Sequence, residues 1–402
     1  MTGYLRRTSS VLIWGVFWAL GMFLQSAGGM GVQAQGALAG DANGDCKVDG
    51  VDFVMLFNHY GLTVSGGASV GDFSGDGKVD GVDFVILFNH YGQVCQGTPV
   101  PTFGPSPTQP PTGSAYRAFT AGSYWNTPFP ANAPIDSRSA TYIADSQNSN
   151  HTQNYLRFTA APGTTQAFGH PIYWASNNDP MYTITPSTYG KTIQAKIPRG
   201  ATPASGSDGA LIVYDLAGNV VIELWQAKYD SNTDKWAAAS TKRYYLDSNG
   251  LDGSVVGSDN SGNFGNRGIP SSARAVRVDE IKAGAINHRL ECFWWATGTQ
   301  TVGHYWPMSG DEGAKGGIVP EGIVIRIKPS VNLNTRGLSA PALVVAKALQ
   351  NYGCMVGDNS GSGNRLGLEL NETAWRNLGL TYDALSPIPW SDWEFVQGGY
   401  RP

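Results

Sequence analysis

Two stretches of the chain pass through the same change of character. Gly40 to Gly61 reads GDANGDCKVDGVDFVMLFNHYG, and Gly71 to Gly92 reads GDFSGDGKVDGVDFVILFNHYG. Each opens as a polar, acidic loop and then turns apolar with helical spacing. The apolar positions are Val51, Val54 and Leu56 with Phe57, and their equivalents in the second copy. The pattern predicts two loop–helix units of one kind. Further along, the period falls from helical to two. KTIQAKIP, ALIVYDLAGNVVIELWQAKY, ARAVRVDEI, HRLECFWWAT and GIVIRIKP predict strands, the second of these a hairpin turning around Ala217-Gly218-Asn219. One clear helix is predicted from Ser339 to Gly353, with Ser339 as N-cap, Pro341 in the first turn and Gly353 at the end. NETAWRNLGL predicts a second, short one. Many short strands with turns between them predict an antiparallel β-sandwich or jelly roll. A parallel α/β fold needs alternating helices, which the pattern lacks.

The chain is punctuated at two places. A basic MTGYLRR precedes an apolar run from Val11 to Leu24, too short for a membrane span, and small-residue cleavage sites follow at Val32-Gln33-Ala34 and Ala37-Leu38-Ala39. This predicts a signal peptide over residues 1–39, no membrane span after its removal, and a secreted product. An uncleaved anchor is the other reading of the same run. Residues 96–114 hold six prolines and no charge, which predicts an extended linker. The expected organisation is therefore leader, repeat module over 40–95, linker, and one large β-rich domain over 115–402.

Composition changes the picture in three ways. A net charge of -4 leaves no basic footprint for nucleic acid. Twelve tryptophans exceed what a core of this size needs, so some are candidates for a sugar-facing surface. Export makes the four cysteines candidates for disulfides. Cys46 and Cys95 bracket the repeats, and Cys292 and Cys354 lie in the last domain. Pairing within each region is the simplest arrangement, and spacing leaves connectivity open.

The repeats carry the clearest chemistry. Asp41, Asn43, Asp45, Asp49 and Asp52 fall at positions 1, 3, 5, 9 and 12 of the first loop, and Asp72, Ser74, Asp76, Asp80 and Asp83 at those of the second. Position 7 adds a backbone carbonyl, from Lys47 and Lys78. A hard cation such as Ca2+ takes about six or more oxygen ligands, and short acidic side chains on a tight loop supply them. Val48 and Val79 at position 8 are expected to point inward and pair the loops.

Two duplicated loops, each followed by a single helix, resemble the type I dockerin module over roughly residues 40–95. The resemblance implies a small α-helical calcium-binding domain with two ions. It implies a cohesin-like partner, a scaffold bearing polysaccharide-degrading enzymes, and a docking surface on each helix. Two departures bear on partner choice. Cys46 stands where the second loop has Gly77, and positions 10 and 11 are Gly50-Val51 and Gly81-Val82 rather than a hydroxyl pair. The segments GIPSSARAVRVDEIKAGAINHRL, VPEGIVIRIKPS and ALQNYGCMVGDNSG resemble secreted bacterial proteins known mainly as uncharacterised. That likeness implies only that these segments form one unit.

No compact catalytic motif occurs in the large domain. Glu223 stands out inside the apolar VVIELWQ, sharing a strand face with Trp225, as sugar hydrolysis requires of a carboxylate and a stacking ring. Asp208 begins the partner strand and is the expected second carboxylate, opposite Lys228 or Tyr229. His288 precedes Cys292 and the pair Trp294-Trp295, and is the expected assisting base. Asp279-Glu280 is expected to start a short turn or helix. His170 is a further lone candidate, and Asp358-Asn359 sits in a loop that could shape a cleft. The leading expectation is a glycoside hydrolase using Glu223, Asp208 and His288, with Trp225 and Trp294 as stacking platforms. A polysaccharide lyase using His288, Tyr214 and Arg277 is the alternative, and a non-catalytic carbohydrate-binding or cell-surface module is the third.

Overall fold

The structure is a computed structural model describing residues 38–43, 47–93, 115–148, 154–260, 267–298, 303–313, 315–361 and 363–402. The chain divides between Pro101 and Thr102 into two units, each with its own core. The expected leader up to residue 37, the linker, Asp45, Cys46 and Cys95 lie outside the described residues.

In the first unit, α1 (Gly50–His59) and α2 (Gly81–His90) follow the two loops. Each begins in a capping box. Asp49 Oδ1 accepts from Val51 N at 2.8 Å while Asp52 Oδ2 accepts from Asp49 N at 2.8 Å, and Asp80 and Asp83 repeat the arrangement. The core is Val48, Leu56, Val79 and Leu87. The two position-8 valines both point into it, as expected. Their backbones, however, pair with the segment after the other repeat's helix. Gly92 N donates to Val48 O at 2.8 Å and Gly61 N to Val79 O at 2.7 Å. Gly71 permits close approach to α1: its φ is 92°, and a Cβ there would lie 2.5 Å from Leu56 Cα.

In the second unit the elements run α3 (Ser139–Asn148), β1 (Arg157–Phe158), β2 (Ile172–Trp174), β3 (Met181–Ile184), β4 (Pro186–Tyr189), β5 (Ile193–Lys196), β6 (Leu211–Asp215), β7 (Val220–Trp225), β8 (Lys228–Asp230) and β9 (Lys235–Tyr245). They continue with α4 (Val278–Ala283), β10 (Leu290–Trp294), β11 (Val324–Ile327), α5 (Ala340–Asn351), β12 (Cys354–Asn359), β13 (Arg365–Leu366), α6 (Glu372–Leu378) and β14 (Trp393–Val396). One sheet has the order β1-β13-β10-β12-β11-β14. The other has β2-β6-β7-β9-β4, with β8 joining β9, and β3 pairs β5 separately.

The mostly-β expectation holds, with few helices. The pairing is mixed, because β1/β13, β10/β12, β2/β6 and β4/β9 run parallel. These are pairs between strands distant in sequence, which period alone does not orient.

Alternation along the strands sorts side chains into three apolar layers. In the first sheet, Leu290, Cys292, Ile325, Cys354 and Val356 face α5, whose Ala342, Val345, Ala346 and Leu349 cover them. The opposite faces, with Val324, Met355 and Val396, meet Ile212, Tyr214, Val221 and Tyr244 of the second sheet. The far face of that second sheet, with Leu211, Val213, Ile222 and Leu224, packs on Tyr182, Ile184, Ile193 and Ala195 of β3 and β5. The two sheets thus lie face to face over a shared layer.

Cys292 and Cys354 form a disulfide between neighbouring strands, with Cα atoms 5.5 Å apart. Replacing both with Ala removes a link across 62 residues. The unfolding free energy of this unit should fall by about 4 kcal/mol through loop entropy. A urea midpoint equal to that of the oxidised wild type would contradict this.

Candidate functional site

A cavity of about 900 Å3 opens in the second unit, lined from both sheets. Glu223 on β7 lies between Ile212 on β6 and Lys242 on β9, and shares its strand face with Val221 of the inter-sheet layer. Glu223 is buried. Its Oε1 accepts from Ser272 N at 2.7 Å, and Oε2 lies 3.8 Å from Lys242 Nζ. Burial pushes the Lys242 pKa down; Glu223 opposes that shift, while Arg267 and Arg274 reinforce it.

The other sheet contributes Glu291 from β10. Its neighbours Leu290 and Cys292 turn to the helix side, so Glu291 faces the cavity. Its Oε2 accepts from His170 Nε2 at 2.6 Å, and Oε1 from Arg274 Nη2 at 2.6 Å and Ser271 Oγ at 3.0 Å. Burial opposes its charge, but Arg274 and His170 outweigh it and bring its pKa down to about 2. Glu291 is thus a fixed anion. It holds His170, whose Nδ1 has no partner among the described residues.

A third group gathers around Arg267. Its Nη2 lies 2.9 Å from Asp358 Oδ2 and 3.0 Å from Glu312 Oε1, and its Nη1 lies 3.7 Å from Glu321 Oε2. One guanidinium cannot balance three carboxylates away from bulk water. Burial, with Glu312 and against Arg267, pushes Asp358 up to about 6. Burial likewise raises Glu321 to about 7. Against burial, hydrogen bonds from Asn359 and Asp358 lower the pKa of Glu312.

At the mouth stand three exposed aromatic rings: Phe168 (46 %), Tyr189 (48 %) and Trp225 (37 %). Asp208 joins them, with Oδ1 accepting from Trp225 Nε1 at 3.4 Å. Gln226 N donates to Asp208 O at 2.7 Å. Asp208 therefore sits opposite the Gln226 bend rather than Lys228 or Tyr229. Gln226 has a φ of 51°, which breaks the regular ladder there.

Of the residues singled out in the sequence, Glu223, Asp208, Trp225, His170, Asp358 and Asn359 line this cavity. His288, Trp294 and Tyr214 do not. His288 is buried with both ring nitrogens engaged, Nε2 at 2.7 Å from Glu280 and Nδ1 at 2.9 Å from Arg289 O. Trp294 is wholly buried among Trp390 and Phe395, because it alternates in step with Leu290 and Cys292. Tyr214 donates its OH to Ser272 O at 2.7 Å and stacks on Trp174. Arg277 pairs with Asp279 and Glu280, and Asp279-Glu280 belongs to α4.

Sequence reading missed Glu291, Lys242, Arg267, Arg274 and Glu312. Glu291 carried the same signal as Glu223, a carboxylate inside an apolar strand.

In the first unit, Asp52 and Asp83 are buried. Asp83 accepts from Ser74 N and Asp80 N, each at 2.8 Å; although burial opposes its charge, these bonds hold its pKa below the ordinary range. Asp72 is buried too and accepts from Gly75 N, Gly77 N and Ser74 Oγ at 2.8, 3.0 and 3.3 Å. Asp72 and Asp83 thus converge on Ser74 with no lysine or arginine against them among the described residues. Asp76 Oδ1 accepts from Lys78 N and Asp80 Oδ1 from Val82 N. Asp41, Asn43, Lys47 and Asp49 stand in the first loop, where Asp52 accepts from Ala42 N at 2.9 Å. The donors present are oxygens, the type calcium takes, although among the described residues no three acidic side chains come together as a metal site.

The helices leave much apolar surface bare. Val51, Val54 and Phe57 are 53, 53 and 67 % exposed, with Val82, Val85 and Phe88 alike. Phe53 packs near Phe57, Phe84 and, through it, Phe88, giving a run of four rings across both helices. Such surface on so small a unit marks a docking face.

Residues 39–91 match the model of the type I dockerin domain family. Type I dockerin domains bind calcium and dock onto cohesin domains. They mark cellulosome-type modules, typically extracellular and usually carried by polysaccharide-degrading enzymes. The rest of the chain matches no family model, and no curated protein and no solved structure matches it. Among the described residues no helix is long and apolar enough to cross a membrane.

Proposed function

We propose that the type I dockerin segment anchors an exported glycoside hydrolase to a cohesin-bearing scaffold, and that the cavity of the second unit is its active site. One observation carries the reading. Carboxylates from two facing sheets, Glu223 and Glu291, reach a cavity whose mouth is edged by exposed aromatic rings. Sugar hydrolysis uses that combination: carboxyl groups for proton transfer and stabilisation of positive charge at the anomeric carbon, and rings to seat the sugar.

In this reading Glu223 acts on the anomeric carbon or on the attacking water. The Ser272 N–H and Lys242 hold it in place. Asp208, exposed beside Trp225, accepts hydrogen bonds from sugar hydroxyls. Export proceeds through the leader and the product is secreted. Two calcium ions, one per loop, would rigidify the dockerin segment; Asp41, Asn43, Asp45, Lys47 O, Asp49 and Asp52 would hold one, and Asp72, Ser74, Asp76, Lys78 O, Asp80 and Asp83 the other.

Trp225→Ala is expected to weaken oligosaccharide binding about 5-fold, a loss near 1 kcal/mol, without lowering the melting temperature. Titration calorimetry checks it, and unchanged affinity would remove Trp225 from the binding surface.

A lyase reading has one observation in its favour. His170 presents an unpartnered Nδ1 in a cavity that also holds Lys242 and Arg274, a base near groups able to neutralise a uronate. The test incubates the full chain with neutral and uronate-containing polysaccharides. New reducing ends without ultraviolet-absorbing double bonds support the hydrolase. Double bonds transfer the assignment to a lyase, and binding without product makes the unit a carbohydrate-binding module.

A further inference from the structure

We propose that Asp358 and Glu312, gathered on one nitrogen of Arg267, share one proton, and that Asp358 is the proton donor to the glycosidic oxygen in this cavity. The assignment rests on the hydrolase reading. Asp358 ends β12 and Glu312 lies on a separate loop, yet both contact the same nitrogen, Arg267 Nη2, at 2.9 and 3.0 Å. With Glu321 at 3.7 Å from Nη1, three carboxyls crowd one guanidinium. A proton held by the Asp358–Glu312 pair relieves the excess negative charge. Burial, with the Glu312 charge beside it, puts the proton on Asp358, although Arg267 and Asn359 N favour its charge. Glu312 accepts from Asn359 Nδ2 at 2.8 Å, faces Arg267 and feels Lys315, all of which favour its charge. Asp358 accepts from Asn359 N at 2.7 Å, and it stands with Glu312 and Glu321 around a single Arg267.

The nearby Asp311 is already occupied, with Oδ2 paired to His304 Nδ1 at 2.9 Å. The Asp358 side chain keeps 31 % exposure and lines the cavity, so its proton is within reach of a ligand. An independent feature points to a ligand at the same place. Arg274 is 1 % exposed and lines the cavity, and its Nη1 has no partner among the described residues. It is directed at Gly357, the residue before Asp358, where a Cβ would come within 2.9 Å of that nitrogen. A sugar hydroxyl would satisfy it.

The Asp358 O–H bond breaks as its proton joins the glycosidic oxygen. The C1–O bond breaks and leaves its electron pair on that oxygen. Water adds hydroxyl to C1 and gives its other proton to Glu223, from which solvent returns it to the Asp358–Glu312 pair. The donor works only while protonated. Because Asp358 titrates near 6, kcat/KM falls as pH rises through that value. Removing the Glu312 charge, which helps raise Asp358, moves the fall to lower pH.

The test uses the full chain, with Asp358→Asn and Glu312→Gln as near-isosteric variants whose folding is followed by circular dichroism. Without any substrate, the infrared difference between the wild type and Asp358→Asn at pH 5 should contain a protonated-carboxyl band of its own, separate from that of Glu321. On a polysaccharide that the wild type cleaves, Asp358→Asn should lose about 10²–10⁴-fold in turnover. It should lose much less on an aryl glycoside whose leaving group departs without protonation, and Glu312→Gln should shift the alkaline limb downward. Absence of the band, or Asp358→Asn turnover equal to wild type, overturns the proton-donor assignment and leaves the hydrolase standing. A wild type that shows the band and cleaves nothing overturns the hydrolase reading, and the donor role with it.

Discussion

Removing calcium from the full chain with a chelator is expected to abolish cohesin binding, reducing affinity at least about 100-fold, while the cavity unit stays folded. The reason lies in how little else holds residues 39–91 together. Their core is Val48, Leu56, Val79 and Leu87, with most of the remaining apolar side chains of both helices in water. Domains this small rarely reach stability on apolar burial alone. The same segment buries Asp52, Asp72 and Asp83, and no lysine or arginine pairs with Asp72 or Asp83 among the described residues. In the proposed reading, a cation neutralises that charge and ties the start of each loop to its helix. Without it, the loops repel and the helices lose their N-terminal anchor, and with it the spacing of the phenylalanine run. The second unit has three apolar layers and a disulfide of its own to hold it. Circular dichroism and a cohesin-binding titration, each with and without chelator, check both halves. Cohesin affinity unchanged by chelation would contradict the calcium assignment.

Glu223→Gln is expected to lower turnover by about 10²–10⁴-fold with little change in KM. Glutamine keeps the shape, and its carbonyl still accepts from Ser272 N, so the inter-sheet layer is undisturbed. What disappears is the negative charge beside Lys242. That charge supports the positive charge of the transition state or takes a proton from water, so its loss falls on kcat. The Lys242 pKa, already depressed by burial, drops further once Glu223 stops opposing that shift. Turnover within a factor of two of wild type would remove Glu223 from the chemistry. A collapse in melting temperature would instead recast it as a structural partner of Lys242.

The first unit was legible in the sequence because its ligands are consecutive. A loop with oxygen donors at fixed positions announces itself wherever it is placed, and its duplication removes coincidence. Periodicity placed the helices but did not sort their faces: of Val51, Val54, Leu56 and Phe57, which share the helical spacing, Leu56 is buried and the others are exposed. In the second unit, hairpin β6–β7 was legible because its strands are adjacent in sequence. Glu223 was legible because a carboxylate interrupts an apolar strand. The rest of the cavity is assembled from distant segments. Arg267 and Arg274 come from loops ahead of α4, Glu312 from a further loop, and Glu291 from the facing sheet. Parallel pairings such as β10 with β12 bring them together, and no local pattern encodes those. His288 and Trp294 drew notice by residue type, but strand alternation and the Glu280 pairing send both into the interior.

Incubating residues 115–402 alone with a panel of plant and microbial polysaccharides, and counting reducing ends over time, tests the central claim most directly. The account predicts a time-dependent rise on at least one polymer, absent with Glu223→Gln on the same polymer. No rise on any polymer from a folded 115–402 unit, or an equal rise with Glu223→Gln, would contradict it.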